Sequence, residues 1–181
     1  MRPIQVQANV AKELFEISSD FASPIEVLRE SLHNAYDAGA QNVQLVAAAE
    51  RLPDGRRVLT ITVSDDGQGM SGEMLDHFFG LGWSDKPQVP GRDPIGFKGH
   101  GTKIFYQASE IAVLTRRADA QAAFVNLYNA RNAVFQKTLP QPESLPASDA
   151  ARAAIQLPGE TGTTIRLRDF TPDSGNLIDA F

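Results

Sequence analysis

The spacing of apolar residues changes at Gly39, and this change limits the folds that the chain can adopt. Residues 24–38 place apolar side chains at helical intervals, and Gly39 can end such a helix. Residues 43–46 begin a strand pattern, and residues 59–63 alternate between apolar and polar side chains after a Pro-Asp-Gly turn at 53–55. The sequence therefore predicts a helix followed by a β-hairpin.

Composition indicates a single globular domain and excludes every functional site that needs cysteine. The 181 residues are 42% hydrophobic and 22% charged, and 17 basic against 22 acidic residues give a net charge of −5. Because there is no cysteine, a thiolate zinc site, a cysteine nucleophile and a disulfide scaffold are excluded. No stretch is apolar enough to span a membrane, and the N-terminus lacks a signal-peptide pattern. We therefore expect a cytoplasmic protein with no membrane partner, which meets nucleic acid only through other domains.

The rest of the pattern predicts a sheet that helices cover on one face. One helix is predicted at 9–17 and another at 102–109. Four further strand-like segments follow along the chain, at 111–115, 122–128, 134–138 and 163–167. The region 139–154 is expected to be a loop or a short helix. Since strands and helices do not alternate regularly, the predicted fold class is α/β with a mixed, mostly antiparallel sheet and not a doubly wound one.

The helix before Gly39 carries a polar stripe that has two interpretations. Ser23 can cap its N-terminus, with Pro24 at the first helical position and Glu26 completing a capping box. The expected core side is formed by Ile25, Leu28, Leu32, Ala35 and Tyr36. The opposite side is formed by Glu30, His33, Asn34 and Asp37. This stripe is either a solvated surface or, with a carboxylate one turn from an amide, a site suited to metal-assisted hydrolysis.

Glycine and proline residues interrupt the chain repeatedly between positions 67 and 101. Two phosphate-loop patterns nearly match there, but each lacks its required context. The G-x-G-x-x-G at 67–72 is not followed by a second parallel strand, and the glycine spacing at 96–101 continues as Thr-Lys instead of Lys-Thr. Because the stretch also holds apolar residues, we expect a mobile lid at about 71–101.

Asp66 and the neighbouring glycines also have two interpretations. Asp followed by Gly is common in turns. Alternatively, a carboxylate at a strand end, with Gly67 and Gly69 leaving space, can accept a hydrogen bond from the exocyclic amine of a flat ligand. The glycines at 96, 99 and 101 are either hinges or backbone donors to phosphate.

These segments together resemble the GHKL ATPase superfamily, which includes gyrase B, a heat-shock chaperone, histidine kinases, MutL and the MORC proteins. Four signatures occur in the family's order: Glu30 to Ala38 resembles the N box, Asp66 to Met70 the D-x-G-x-G box, Gly96 to Thr102 the glycine box at the end of the lid, and Gly162 to Thr164 the final box. The lid sequence is similar to MORC-like members and to the heat-shock chaperone, and the segment from Gly162 is similar to MutL.

The resemblance implies a two-layer α/β sandwich, the Bergerat fold, which holds ATP and Mg²⁺ under a flexible lid. It makes Glu30 the general base for water and Asn34 the Mg²⁺ ligand, with Asp37 in the same network. It places Asp66 on the adenine amine, and it places Thr163 where it supports Asp66 and adenine through water. The remaining implied nucleotide contacts are Gly69, Met70, Gly96, Lys98, Gly99, His100, Gly101 and Thr102.

The implied function is a domain that binds ATP or ADP, hydrolyses ATP slowly, and uses lid closure to control homodimerisation or contacts with further domains. Glu30 is similar to the hydrolysing branch, but a nucleotide-binding switch without turnover and a histidine-kinase-type catalytic domain both stay open. In several of these families a lysine from a following domain completes the phosphate site. We therefore expect residues 1–181 to be one domain from the N-terminal part of a longer protein, unless Lys98 or Lys103 supplies that lysine.

Overall fold

The structure, a computed structural model, describes residues 8–21, 23, 25–82, 91, 93, 95 and 100–171. Its elements are α1 (Val10–Ser19), α2 (Glu26–Asp37), β1 (Val43–Arg51), β2 (Arg57–Asp65), α3 (Gly72–Phe79), a first 3₁₀ helix (Gly101–Gln107), β3 (Ala108–Arg116), β4 (Ala123–Tyr128), α4 (Ala130–Phe135), β5 (Glu143–Leu145), a second 3₁₀ helix (Ala147–Ala151) and β6 (Gly162–Phe170). No helix within these ranges is long and apolar enough to cross a bilayer.

The six strands form one sheet in the order β1-β2-β6-β3-β4-β5, and each described pair is antiparallel. The last strand of the chain, β6, lies between β2 and β3. This arrangement brings together residues that are far apart in sequence, since Thr163 pairs with Asp65 on one side and with Thr115 on the other. The predicted two-layer α/β fold with a mostly antiparallel sheet is confirmed.

The main core lies between one face of the sheet and the helices. Leu14 of α1, Val27 of α2 and Leu75 of α3 are buried there together with apolar residues of β2, β3 and β6. Successive side chains of a strand point to opposite faces, so Ala112 and Leu114 of β3 belong to a second, smaller cluster. That cluster is covered by the region 145–157, which fills part of the other face.

Helix α2 begins later than the sequence predicts. Its first residue is Glu26, and Ile25 occupies the cap position without a side-chain hydrogen bond. Ser23 still supports the turn, because its Oγ accepts from the backbone N of Ile25 at 3.4 Å and its carbonyl accepts from the N of Glu26 at 3.0 Å. The predicted capping box is therefore wrong, and Pro24 lies outside the described residues.

The predicted core side of α2 is also partly wrong. Three of its five residues are exposed, with exposed fractions of 59% for Ile25, 49% for Leu32 and 39% for Tyr36. The buried row is instead Val27, Ser31 and Ala35, which recur every four residues along one side of the helix. Ser31 fits this row because its hydroxyl donates to the carbonyl of Val27 at 2.7 Å, which satisfies the buried polar group.

Two further elements differ from the sequence prediction. The segment 134–138, expected as a strand, contains the end of α4, where Val134 is buried one turn after buried Ala130. Asn129, with a left-handed φ of 55°, turns the chain from β4 directly into this helix. The helix predicted at 102–109 is a 3₁₀ helix that ends at Gln107, because β3 begins at Ala108.

Candidate functional site

Three strand ends meet at one corner of the sheet. Asp65 ends β2 and pairs with Thr163 at the start of β6, which in turn pairs with Thr115 near the end of β3. The Oγ1 of Thr115 lies 3.0 Å from the Oγ1 of Thr163 and 3.1 Å from the carbonyl of Gly162. It also accepts a hydrogen bond from the backbone N of Met70 at 2.8 Å. Thr115 therefore joins the loop after β2 to two neighbouring strands.

Two glycines at this corner leave no room for a side chain. Gly69 has a φ of +70°, and a Cβ added there would overlap the carbonyl of Arg116. Gly162 has a φ of +129°, and its Cβ would overlap the carbonyl of Asp65. Backbone segments thus approach each other as closely as glycine allows, which holds the corner in one arrangement.

Asp65 is a buried acid at this corner. Its exposed fraction is 8%, and its Oδ1 accepts a hydrogen bond from the backbone N of Gly67 at 2.9 Å. Burial raises the pKa of Asp65 to about 6, although the hydrogen bond from Gly67 acts in the opposite direction. The site therefore holds a carboxyl group that is ionised near neutral pH and shielded from water.

Asp66, the next residue, stabilises a turn through its hydrogen bonds. Its Oδ1 accepts hydrogen bonds from the backbone N of Gln41 at 2.7 Å and of Asn42 at 2.9 Å. Its Oδ2 accepts from the side-chain amide of Asn42 at 2.8 Å. These hydrogen bonds, first those from Asn42, hold the pKa of Asp66 below its usual value. The carboxylate is thus occupied in closing the turn before β1.

This geometry favours Asp65 over Asp66 as the acid that meets a ligand. A signal for it is present in the sequence, because a D-x-G-x-G spacing that counts Gly67 and Gly69 as its two glycines begins at Asp65. Thr115 carries no sequence signal for its place in the site, since a threonine in an apolar strand is ordinary. Only the pairing of β3 with β6 shows where Thr115 lies.

The polar stripe of α2 reaches the glycine box. The side chain of Glu30 is 16% exposed, and its Oε1 lies 3.2 Å from a guanidinium nitrogen of Arg29. A Cβ on Gly101 would overlap the other carboxylate oxygen of Glu30, so the two residues are in direct contact. Asp37 is buried, and its Oδ1 accepts from the backbone N of Ile95 at 2.9 Å. The structure therefore brings two implied site residues of α2 to the chain on either side of 96–99.

Asn34 lies one turn after Glu30 and is half-buried. Within the described ranges, no group of three or more acidic or histidine side chains could hold a metal ion. Mg²⁺ keeps several waters and is commonly bound through one or two protein oxygens together with substrate phosphates. A single amide oxygen from Asn34 therefore fits a cation that a triphosphate holds.

The end of the glycine box packs on the end of α3. The Oγ1 of Thr102 donates to the carbonyl of Phe78 at 3.1 Å. Lys103, which the sequence left open as a phosphate ligand, donates from Nζ to that same carbonyl and to the Oγ1 of Thr102, each at 2.7 Å. His100 occupies the cap position of the first 3₁₀ helix. The implied contacts Gly96, Lys98 and Gly99 lie outside the described residues.

The first part of the predicted lid is an ordered helix. Ser71 caps α3 by accepting from the backbone N of Met74 at 3.2 Å, and Leu75 is buried in the main core. Phe78 and Phe79 also pack against that core. Most of the remaining lid, including Trp83, lies outside the described residues.

Comparisons with known proteins agree with the fold and with the family that the sequence resembles. Residues 22–153 match the family described as histidine kinase-, DNA gyrase B- and HSP90-like ATPases. The mouse MORC family CW-type zinc finger protein 3 is 29% identical over 100 residues, which are 55% of this chain and 10% of that protein. The chain thus spans about a tenth of this curated relative.

A crystal structure described as the N-terminal domain of a DNA repair protein superposes with a TM-score of 0.52 at 13% identity. The superposition covers 89% of this chain and 39% of that one, and at this identity it supports the fold alone. The family match covers most of the chain, and a MORC protein is among its relatives. The chain therefore belongs to the GHKL family, the ATP-binding histidine kinase-, DNA gyrase B- and HSP90-like ATPases.

Proposed function

We propose that this chain is an ATP-binding domain that hydrolyses ATP slowly with Mg²⁺ and whose bound nucleotide controls association with a second copy or with further domains. Family membership supports ATP binding. The observation that carries the proposal of hydrolysis is the contact between the carboxylate of Glu30 and Gly101. This contact puts a group that can accept a proton beside the box whose backbone would hold the phosphates.

Adenine would bind at the sheet corner. We assign the hydrogen bond from its exocyclic amine to Asp65, because this acid is buried and Asp66 is occupied by Gln41 and Asn42. Thr163 lies opposite Asp65 in the sheet, where it would support both Asp65 and the base. Gly69 and Met70 would border the base on the loop that Thr115 holds. A buried acceptor discriminates strongly against a base that lacks the amine, since it would then be unpaired.

Hydrolysis would take place between α2 and the glycine box. Glu30 would accept the proton from the attacking water as the oxygen–phosphorus bond forms and the bond to the ADP leaving oxygen breaks. Asn34 would hold Mg²⁺, which supplies charge neutralisation at the phosphates. Gly101 and Thr102 would donate backbone N–H groups to the phosphates together with Gly96, Lys98, Gly99 and His100.

Nucleotide would control association through the lid. Asp37 supports this step because its hydrogen bond to Ile95 connects α2 with the chain that leads into the glycine box. A ligand that contacts both sides shifts the population toward the closed arrangement. The closed form would then expose the surface for homodimerisation or for contacts with further domains. The cytoplasmic location remains a prediction.

Turnover by the Glu30→Ala variant tests the assignment of an ATPase. We expect the release of phosphate to fall by about 10²-fold or more, while the affinity for a non-hydrolysable ATP analogue changes by only a few-fold. Glu16→Ala is the matched control, since this glutamate is exposed and forms a surface ion pair with Lys12. It should keep the turnover of the parent protein.

Two other results would change the conclusion. If the parent chain binds ATP but releases no phosphate above the rate of Glu30→Ala, the nucleotide-binding switch replaces the ATPase. Transfer of phosphate to the histidine of a candidate partner domain would instead identify the kinase-type alternative.

A further inference from the structure

Lys103 is a lysine with no exposed surface. Its Nζ donates to the carbonyl of Phe78 and to the Oγ1 of Thr102, and it lies 5.9 Å from the centre of the Tyr106 ring. No ion pair within the described ranges involves it, and burial lowers the pKa of Lys103 to about 7. A buried amine without an acidic partner is costly, so its two hydrogen bonds and its position at the C-terminal end of α3 must offset that cost.

Two other side chains of the same 3₁₀ helix also bind the end of α3. Thr102 donates to the carbonyl of Phe78, and the hydroxyl of Tyr106 donates to the carbonyl of Phe79 at 2.9 Å. We call these five residues the α3 clamp. Helix α3 ends just before the segment 80–100, and the 3₁₀ helix begins just after it. The clamp therefore joins the two ends of this segment.

The clamp is continuous with the proposed hydrolytic centre. Thr102 belongs both to the clamp and to the glycine box, and Gly101 before it contacts the carboxylate of Glu30. Lys103 is the member that binds α3 and the hydroxyl of Thr102 at once. Without its amine, Thr102 keeps one hydrogen bond to α3, and the position of the glycine box relative to Glu30 is less strictly fixed.

We propose that Lys103 is a positioning residue for the terminal phosphate of ATP, acting through Thr102 and the end of α3. This inference rests on the proposed function. It goes further by stating that the part of the site that tells ATP from ADP is held by a buried lysine that contacts no phosphate. The adenine corner is built from β2, β3 and β6, to which the clamp contributes no hydrogen bond, so adenine binding does not depend on Lys103.

The experiment is calorimetry on the full chain with a non-hydrolysable ATP analogue and with ADP, both with Mg²⁺. Lys103→Met keeps the length of the side chain and removes the amine. We expect this variant to lower the affinity for the analogue by about tenfold or more and the affinity for ADP by less than about threefold, since misplaced contacts affect the terminal phosphate selectively. Tyr106→Phe is the matched control, because it removes one clamp hydrogen bond that does not involve Thr102. It should keep the ratio of the two affinities.

A second pair of variants covers the case in which Lys103→Met does not fold. Thr102→Val removes the hydroxyl that Lys103 holds, and Thr102→Ser keeps it. The valine variant should lose the higher affinity for the analogue than for ADP, and the serine variant should keep it. The proposal is overturned if Lys103→Met, or Thr102→Val in its place, lowers the affinities for the analogue and for ADP by the same factor, or lowers neither. A parent chain that binds no nucleotide refutes the proposed function itself, which is a distinguishable result.

Discussion

The two ends of the proposed nucleotide site are built in different ways. The adenine end consists of strand ends, and the hydroxyl of Thr115 bonds to two segments that each lie 45 to 48 residues away from it in sequence. The phosphate end consists of α2, α3 and a 3₁₀ helix, which Glu30 and Lys103 connect through contacts with Gly101 and with the carbonyl of Phe78. Asp37 adds a hydrogen bond from α2 to the backbone N of Ile95. Sheet pairing fixes the first end, whereas the second depends on contacts between helices and on chain that is rich in glycine.

This difference suits the two ends to different roles, one in recognising the base and the other in responding to the phosphates. A corner that backbone pairing holds in place before ligand arrives loses little freedom on binding, so it is suited to recognise the base. An end assembled from separate helices can change its arrangement when a phosphate joins them, so it is suited to report which nucleotide is bound. If this difference is real, substitutions at the adenine end should disturb a fixed arrangement.

The largest expected effect is at Gly69. Gly69→Ala should lower the free energy of unfolding by about 3 kcal/mol or more, because the new methyl group would overlap the carbonyl of Arg116 at a positive φ. Gly72→Ala, three residues further along the chain, is the matched control, since a Cβ there meets nothing within 4 Å. It lies in α3 and should change stability by about 1 kcal/mol at most, in the stabilising direction.

Urea unfolding of both variants measures this contrast. If Gly69→Ala is as stable as the parent chain, the close approach at the corner is not required. The adenine end would then be no more fixed than the phosphate end.

A smaller effect is expected from the protonation of Asp65. The ionised carboxylate accepts hydrogen bonds at both oxygens and more strongly than the protonated acid does, and burial raises the pKa of Asp65 to about 6. ADP affinity should therefore be constant above pH 7 and fall by about tenfold between pH 7 and pH 5. Asp65→Asn should remove this dependence, and Asp66→Asn should keep it. Calorimetry at three pH values measures the trend, and equal ADP affinity at pH 5 and pH 7 would contradict it.

The same pKa has a consequence for stability, and its sign is opposite to that of most acids. Because the folded-state pKa of Asp65 lies above the ordinary value of 3.8, folding favours the protonated form. Its contribution to stability is fully present below about pH 4 and is lost as the pH rises through about 6. Part of the loss of stability on raising the pH through this range should disappear in Asp65→Asn.

Much of the fold follows from the sequence because it depends on local signals. The hairpin of β1 and β2 follows from alternation and a Pro-Asp-Gly turn, and α1 follows from apolar spacing. The helical spacing predicts the stripe that holds Glu30 and Asp37, and in the structure both residues contact the chain around the glycine box. These features depend only on residues that are close in sequence or that lie on the same helix.

Features that depend on distant partners could not be predicted in this way. Ser31 is buried and Leu32 is exposed because the direction of α2 is set by the elements that it packs on. The hydrogen bonds to Asp66 come from Gln41 and Asn42, 25 and 24 residues earlier, so only the structure shows that this acid is occupied, although the D-x-G-x-G spacing itself begins at Asp65. Thr115 and Lys103 acquire their roles only from contacts with β6 and α3. Tertiary contacts override the local preference at each of these positions.

The most direct test of the account is the affinity for ADP of two variants that differ by one position. Asp65→Asn leaves one acceptor oxygen, which the backbone N–H of Gly67 occupies, and turns an NH₂ group toward the adenine amine. The affinity for ADP should therefore fall by about 30-fold or more, equivalent to about 2 kcal/mol. Asp66→Asn should leave ADP within about threefold and instead lower the free energy of unfolding by about 1 kcal/mol, since it weakens the turn at Gln41 and Asn42. The reverse outcome, with full ADP affinity in Asp65→Asn and a large loss in Asp66→Asn, would contradict the assignment of the adenine end.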